Sequence, residues 1–182
     1  MPPRVAYNAM KGRIYLILAL ALLLAVCGCT VPKDELPEGE GFAIYLLAED
    51  IPASGMPPLS NVELADEPFI SLKDIISYKQ TTHEIELAET ASQRVAELEV
   101  PLSGKVFVVC VNRQPVYWGA FWTPISSMSF DGITIWILTP LFPSENVIHI
   151  TLGYPSEGYY SGEDPRSDTR IMQSLEQTGK LR

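Results

Sequence analysis

The sequence predicts an α+β domain in which a mostly antiparallel sheet is packed by one or two helices. Several short runs with β-branched and aromatic composition, or with strict alternation of polar and apolar residues, lie between residues 42 and 152. Only two stretches, which begin near Thr90 and Asp168, place apolar residues at helical spacing. Strands that follow one another with so few helices between them are typical of α+β folds and not of doubly wound parallel sheets.

The first half of the domain is predicted to hold an apolar strand and a hairpin. Phe42–Ala48 is a short apolar run that fits a strand buried on both faces, and the Pro-rich segment Glu49–Ser60 fits an irregular loop. Val62–Leu64 is a candidate minor strand. Ile75–Tyr78 and the alternating His83–Leu87 flank a polar turn, which predicts a β-hairpin.

A helix is predicted to follow the hairpin. Thr90 can cap its start, and Ala91, Val95 and Leu98 fall on one face of it. Val100–Gly104, with its proline and glycine, ends the helix.

The second half is predicted to consist of strands and a final helix. Gly179 is well placed to end that helix, whose Ile171 and Leu175 share one face. The predicted elements are the strands Val106–Val111, Val116–Trp122, Ile133–Leu138 and Val147–Leu152 and the helix Asp168–Thr178.

The amino-terminal 28 residues have the pattern of an export signal. Arg4, Lys11 and Arg13 lie at or before the start of an uncharged apolar stretch, Ile14–Val26, which small residues follow. A signal peptide has this order of a basic region, an apolar region and a small-residue end. The apolar stretch is shorter than the roughly 20 residues that a spanning helix needs.

Val26-Cys27-Gly28-Cys29 resembles the lipobox of bacterial lipoproteins. The resemblance implies cleavage before Cys29 and attachment of fatty acyl chains to it, whereas bulky Val26 makes Cys27 a poorer candidate. Two acyl chains anchor a protein stably, while one gives marginal binding. An ordinary cleaved signal and an uncleaved anchor are the alternatives. We therefore expect a signal peptide at 1–28, a flexible acidic tether at 29–41 and a single extracytoplasmic domain at 42–182.

Charge and cysteine content limit the partners and the covalent structure. The signal holds three of the 13 basic residues and none of the 22 acidic ones, which leaves the mature chain with a net charge near −12. Such a surface repels nucleic acid and anionic headgroups, so that membrane attachment must come from the lipid. After lipidation of Cys29 only Cys110 remains, which excludes an intramolecular disulfide.

The pattern from Asp74 to Val116, a strand, a polar turn, a strand, a helix with Arg94 and then G-K-x-F-V-V-x-V, resembles the periplasmic domain of the SecD export subunit. This resemblance covers about a quarter of the chain and implies a ferredoxin-like fold as one possibility. It carries no functional residue over.

The candidate binding residues are the aromatic side chains of one predicted strand. In an extended chain Tyr117 and Phe121 face one way and Trp118 and Trp122 the other. If one face is exposed, it is a binding surface for a protein or a glycan; if both are covered, the rings are core. The adjoining loop Pro124–Asp131 belongs to the same candidate surface.

No grouping of residues predicts catalysis, a metal or a cofactor. His83 and His149 lie in predicted strands without a zinc motif, and we expect both to be solvated. Cys110 lies among apolar residues and is expected to be an inert buried thiol. The acidic loop Gly162–Asp168 could hold Ca²⁺ weakly, but Asp168 is more simply a helix cap. The sequence therefore favours a lipid-anchored, non-enzymatic binding or assembly module of the cell envelope, with a small-ligand or glycan receptor as the alternative.

Overall fold

The computed structural model describes residues 41–137 and 146–182. The expected signal peptide, Cys29, nearly all of the expected tether and the end of the strand expected at Ile133–Leu138 lie outside these residues. The described chain is an α+β unit with two helices and one seven-stranded sheet. Its elements are β1 (Phe42–Leu46), β2 (Ile75–Lys79), β3 (Glu84–Leu87), α1 (Glu89–Ala96), β4 (Lys105–Val111), β5 (Gln114–Trp122), β6 (Phe130–Trp136), β7 (Val147–Tyr154) and α2 (Thr169–Gln177).

The strands lie in the order β1-β4-β5-β6-β7-β3-β2. Every neighbouring pair is antiparallel except β5 and β6, which are parallel from Gly119↔Ile133 to Trp122↔Trp136. The mostly antiparallel α+β architecture is thus confirmed. The number and order of the strands differ from the βαββαβ arrangement of a ferredoxin-like fold. Three strands precede α1, and four strands lie between α1 and α2.

The hairpin of β4 and β5 lies between β1 and β6 in the sheet. Asn112 and Arg113 connect the two strands and have φ values of 50° and 61°, which are the left-handed values of a type I′ turn. Gly119 lies at a close approach, where a Cβ would meet the carbonyl oxygen of Ile133 and the ring of Phe107. A side chain at this position would therefore push β6 away from β5.

Both helices pack on the same face of the sheet. Ala91 and Val95 of α1 and Ile171 and Leu175 of α2 are buried in one apolar cluster with the inward side chains of the strands. Thr90 does not cap α1; Ala88 occupies the N-cap and makes no side-chain bond there. Arg94 instead ties the helix to the turn before β2 through an ion pair of 3.0 Å with Asp74.

The cap of α2 is the predicted one. The carboxylate of Asp168 accepts a hydrogen bond of 2.9 Å from the backbone N–H of Arg170, and Gly179 follows the helix with a φ of 68°.

The opposite face is covered by the irregular segment between β1 and β2. Its Ala53 and Met56 pack on the side chains of β4 and β5. Leu59, Val62 and Leu64 pack on a second cluster around Cys110. Val62–Leu64 is not a named strand, although Leu64 forms an isolated bridge with Leu47.

The two edges of the sheet are also covered. Beside β1, Ile44 forms a bridge with Ile70, and beside β2, Tyr78 forms one with Leu181. The carboxy-terminal residues make two backbone hydrogen bonds of 2.8 Å with Tyr78 of β2 and accept a third, of 3.0 Å, from Gln80 just after the strand. Covered edges cannot pair with another chain, which protects a sheet of this size from aggregation.

Candidate functional site

The four candidate binding residues of β5 are mainly core residues. Tyr117, Phe121 and Trp122 are 5%, 0% and 2% exposed, and Trp118 is partly buried. Both faces of β5 are therefore covered, as in the second of the two interpretations of the sequence. As exposed anchors of a binding surface, Tyr117, Phe121 and Trp122 are therefore excluded in this conformation.

The second face of β5 is closed by other aromatic rings. The ring of Phe130 stacks on Trp122 with a centroid distance of 5.1 Å and an interplanar angle of 9°. Tyr154 packs against the same indole at 5.5 Å, and Phe130 also contacts Trp118 at 5.9 Å. The aromatic rings thus pack against one another and fill the space beneath the segment that carries Ala53 and Met56.

Three aliphatic side chains are exposed beside this aromatic group. Ile125 and Met128 in the loop between β5 and β6 are 74% and 49% exposed, and Leu102 in the turn before β4 is 55% exposed. We call Leu102, Ile125 and Met128 the apolar loop cluster. The loop belongs to the surface that the sequence singled out, whereas Leu102 comes from a distant part of the chain and carried no signal of its own.

The buried side chain of Ser126 holds the apolar loop cluster together. Its hydroxyl donates to the carbonyl oxygen of Leu102 at 2.6 Å and accepts from the backbone N–H of Met128 at 3.2 Å. The hydroxyl of Tyr154 donates to the carbonyl oxygens of Pro124 and Ser126, both at 3.0 Å. The loop is therefore fixed by side chains of the core, and the exposed side chains are presented on a rigid backbone.

The apolar loop cluster and the start of the domain lie at opposite ends of β4. Phe42, at the start of β1, pairs with Val111, the last residue of β4. Leu102 precedes the first residue of β4, Lys105, which pairs with Phe121 near the end of β5. A strand of seven residues spans about 20 Å. Gly41, the first described residue, therefore lies about that far from the cluster.

One ion pair and two acidic side chains lie close to the cluster in the chain. Asp50 forms an ion pair with Lys105 and has a side chain that is 83% exposed. Glu97 and Glu99, in the segment that leads to Leu102, are exposed. The surroundings of the cluster thus resemble the rest of this acidic chain.

A second group of polar side chains, partly buried, lies around Tyr78, Tyr117 and Arg166. The hydroxyl of Tyr78 and Nδ1 of His83 are 2.9 Å apart, and the guanidinium of Arg166 makes two hydrogen bonds, of 2.9 and 2.8 Å, to the carboxylate of Asp164. A third bond, of 2.8 Å, runs from Arg166 to the carbonyl oxygen of Ile150. The hydroxyl of Tyr117 is buried without a partner in the described chain.

The pKa shifts in this group follow from burial and pairing. The hydrogen bond from Arg166 lowers the pKa of Asp164. Burial lowers the pKa of His83, and the charge of Arg166 acts in the same direction. Burial also raises the pKa of Tyr117 well above its usual value. Each pKa shift favours one form of its group: the charged form of Asp164 and the neutral forms of His83 and Tyr117. This is typical of a structural network.

Burial and hydrogen bonds explain the two histidines, the cysteine and the acidic loop. His83 is 8% exposed and lies in the turn with a φ of 52°, so that its expected position as a solvated strand residue is wrong, whereas His149 is exposed. Cys110 is buried, and burial raises the pKa of its thiol to about 12. The Asp164–Arg166 pair and the Asp168 cap account for the acidic loop. Within residues 41–137 and 146–182, no three His, Cys, Asp or Glu side chains are grouped as metal ligands.

Comparisons with known proteins add no relative. No protein-family model, no curated protein and no solved structure matches the chain. In the part of the chain that the structure describes, no helix has the length and apolar character needed to cross a membrane.

Proposed function

We propose that the chain is an extracytoplasmic lipoprotein, anchored through an acylated Cys29, whose domain binds a partner protein and has no catalytic activity. The observation that carries the binding part is the apolar loop cluster, in which three aliphatic side chains are exposed on a backbone held by Ser126 and Tyr154. The anchor rests on the signal pattern and on the residues around Cys29.

Rigid presentation is what makes the cluster suited to binding. Because the loop is already ordered, a partner would not have to supply the conformational entropy of ordering it. Covering three partly exposed aliphatic side chains contributes roughly 3–6 kcal/mol, which is enough for the centre of an interface but not for a whole one.

The partner that fits best is a protein with an apolar pocket and basic residues around it. The segment that leads to the cluster carries the exposed Glu97 and Glu99, and opposite charges around an apolar centre favour association and raise its rate. An anionic membrane surface is a poorer fit, since the mature chain is strongly acidic.

Site-specific photo-crosslinking in intact cells tests the binding surface. A photoreactive amino acid at Ile125 is expected to give one discrete adduct with a protein, because that side chain lies at the centre of the proposed contact. The matched control is the same substitution at Ile76, which is 45% exposed on β2, away from the cluster. Met128→Ser should reduce the adduct at least tenfold, which corresponds to a loss of about 1.4 kcal/mol. Equal adducts at both positions, or none at Ile125, would remove the proposal.

Intact-mass analysis of the native protein tests the anchor separately. The expected product begins at Cys29 and carries the mass of fatty acyl groups, and Cys29→Ser should abolish acylation whereas Cys27→Ser should not. A mature chain that begins elsewhere, or an unmodified Cys29, contradicts the anchor and leaves the crosslinking result to be judged by itself.

The alternative of a glycan or small-ligand receptor that uses the aromatic strand receives less support. Three of its four aromatic side chains are buried, and only Trp118 keeps partial exposure. Sugar rings bind to open aromatic faces, and the stacked Phe130 already covers Trp122.

A further inference from the structure

The turn between β2 and β3 is closed by a buried histidine. His83 is 8% exposed, and its Nδ1 lies 2.9 Å from the hydroxyl of Tyr78, which is 0% exposed. That hydroxyl makes no other hydrogen bond with the described residues, so its proton finds an acceptor there only if Nδ1 is unprotonated. The arrangement therefore requires a neutral imidazole at His83.

The charged groups that act on His83 are Arg166 and Asp164, from the loop after β7. The N–H of Ile150 donates to the carbonyl oxygen of His83 at 3.0 Å, and the carbonyl oxygen of Ile150 accepts from Arg166 at 2.8 Å, so both residues lie beside the same point of β7. The guanidinium already binds both carboxylate oxygens of Asp164, at 2.9 and 2.8 Å. Tyr117 of β5, close to the same groups, stays neutral because burial raises the pKa of its hydroxyl. A protonated His83 would therefore be a second cation beside a carboxylate that is already paired.

The titratable groups next to the turn in β2, β3 and β7 face the other side of the sheet. Glu84 pairs with His149 across the sheet and contacts Lys79 at 3.5 Å. Tyr78 belongs instead to the apolar cluster that the helices cover. Because successive side chains of a strand point to opposite faces, Glu84 does not lie on the side where His83 meets Tyr78.

The same turn holds the carboxy-terminal residues. The N–H of Tyr78 donates to the carbonyl oxygen of Lys180, and the N–H of Arg182 donates to the carbonyl oxygen of Tyr78, both at 2.8 Å. The N–H of Gln80, in the turn, donates to the carbonyl oxygen of Arg182 at 3.0 Å. A movement of the turn at His83 therefore reaches residues 180–182 directly.

We propose that His83 is an acid-sensitive switch: a proton from solvent at Nδ1 breaks the bond to Tyr78, opens the turn 80–83 and releases residues 180–182 from the edge of β2. The rest of the sheet stays folded, because the opened segments are the turn and the end of the chain, which make few of its contacts. The opened state exposes the backbone N–H and C=O of Tyr78 at the sheet edge. The switch depends neither on the lipid anchor nor on the proposed partner protein.

The direction of the pH effect follows from the two states of His83. Burial lowers the pKa of His83 in the closed state, and the charge of Arg166 acts in the same direction. The opened turn, whose imidazole is hydrated, therefore binds the proton more tightly, so that the turn is closed above about pH 6.5 and opens as the pH falls below it. Asp164 keeps its charge over this range, because the hydrogen bond from Arg166 lowers its pKa.

Amide hydrogen exchange of the full chain, followed by mass spectrometry, tests the proposal. Rates at about pH 7.5 and about pH 5.5 are each corrected for the intrinsic exchange rate of the peptide. We expect protection of peptides within 76–84 and 178–182 to fall at least fivefold at the lower pH, since one titrating group changes an equilibrium by up to about tenfold per pH unit. Peptides from β4 and β5 should change less than about twofold, because these strands do not open with the turn.

The two histidines of the sequence provide a matched pair of variants. His83→Asn keeps an acceptor oxygen near the position of Nδ1 and tolerates the φ of 52°, but it does not titrate. It should remove the difference between the two pH values in both segments. His149→Asn changes the exposed histidine on the other face and should leave that difference as it is in the wild type.

Three results would overturn the proposal. Wild-type protection that is equal at the two pH values, or that falls equally in β4 and β5, shows that no local switch exists, and neither result needs a variant. A pH difference that persists in His83→Asn, or disappears in His149→Asn, assigns the proton to another group. If His83→Asn does not fold, NMR titration of the wild-type histidine rings decides instead: opening that does not follow the titration of the buried ring contradicts the role of His83.

Discussion

Removing the hydroxyl of Tyr117 is expected to stabilise the protein. This hydroxyl is buried and has no hydrogen-bond partner among the described residues, whereas the hydroxyl of Tyr78 in the same core is 2.9 Å from Nδ1 of His83. Tyr117→Phe and Tyr78→Phe delete the same atom from two neighbouring sites. The two changes should nevertheless shift the free energy of unfolding in opposite directions.

The magnitudes follow from the hydrogen-bonding state of each group. A buried donor without a partner costs about 1–3 kcal/mol, because it loses its bonds to water and gains none. Tyr117→Phe removes that cost while the ring keeps its packing, so we expect the free energy of unfolding to rise by about 1–3 kcal/mol. Tyr78→Phe removes a bond and leaves Nδ1 of His83 without its partner, so we expect a decrease of about 1–3 kcal/mol.

Urea unfolding followed by tryptophan fluorescence measures both values. The midpoint should rise in Tyr117→Phe and fall in Tyr78→Phe at an unchanged m-value, since the surface exposed on unfolding stays the same. A loss of stability in Tyr117→Phe similar to that in Tyr78→Phe would refute the reasoning. The Tyr117 hydroxyl would then have a partner, such as a buried water that joins it to the Arg166–Asp164 pair.

Three further predictions concern pH, the sheet edge and one glycine. Burial lowers the folded-state pKa of His83, so the unfolded chain binds more protons than the folded chain below about pH 6.5. The free energy of unfolding should therefore fall by up to about 1.4 kcal/mol for each pH unit below that value. His83→Gln should flatten this pH profile, which urea unfolding measures. Deleting residues 180–182 removes two backbone bonds to Tyr78 of β2, one to Gln80 and one from Lys180 Nζ to Ile75, which should cost about 2–4 kcal/mol in the same assay. Gly104→Ala should cost about 2–4 kcal/mol, because a Cβ there overlaps the ring of Trp122 at a φ of 80°, whereas Gly179→Ala, with open space at a φ of 68°, should cost about 1 kcal/mol in thermal unfolding.

The secondary structure could be predicted where local patterns were strong. The run expected at 106–111 is β4, Lys105–Val111, and the helix expected at 168–178 is α2, Thr169–Gln177. The first is a continuous run of residues with strong β preference, and the second has apolar residues at helical spacing and a capping aspartate. The period-two pattern of β3 and β7 was equally reliable, since it follows from one buried face.

Long-range pairing explains what local patterns did not predict. Phe130 and Asp131 were expected in a loop, but they extend β6 because Phe130 pairs with Tyr154 across a bulge. The parallel pairing of β5 and β6 was not foreseen either. It requires the chain between Trp122 and Phe130 to run back along the sheet, which composition does not reveal.

The candidate site was predicted in the right part of the chain but with the wrong side chains. Large aromatic residues indicate either a core or a binding face, and the choice depends on what covers them. Here the cover is the Pro-rich segment of Ala53 and Met56, whose sequence predicted only an irregular loop. Such a segment contributes few large side chains, so the rings of Trp122 and Phe130 must fill the space that a helix would otherwise occupy.

The same arrangement explains why the exposed residues are aliphatic. With the rings stacked inward, the loop that follows β5 crosses above them and is fixed by the hydroxyl of Tyr154 and by Ser126. Residues between these fixed points must point outward. Ile125 and Met128 are apolar there, although a polar side chain in the same exposed position would be stable without a partner. The aromatic group is therefore the support of the proposed contact surface, and substitutions in it should act on binding through the position of the loop.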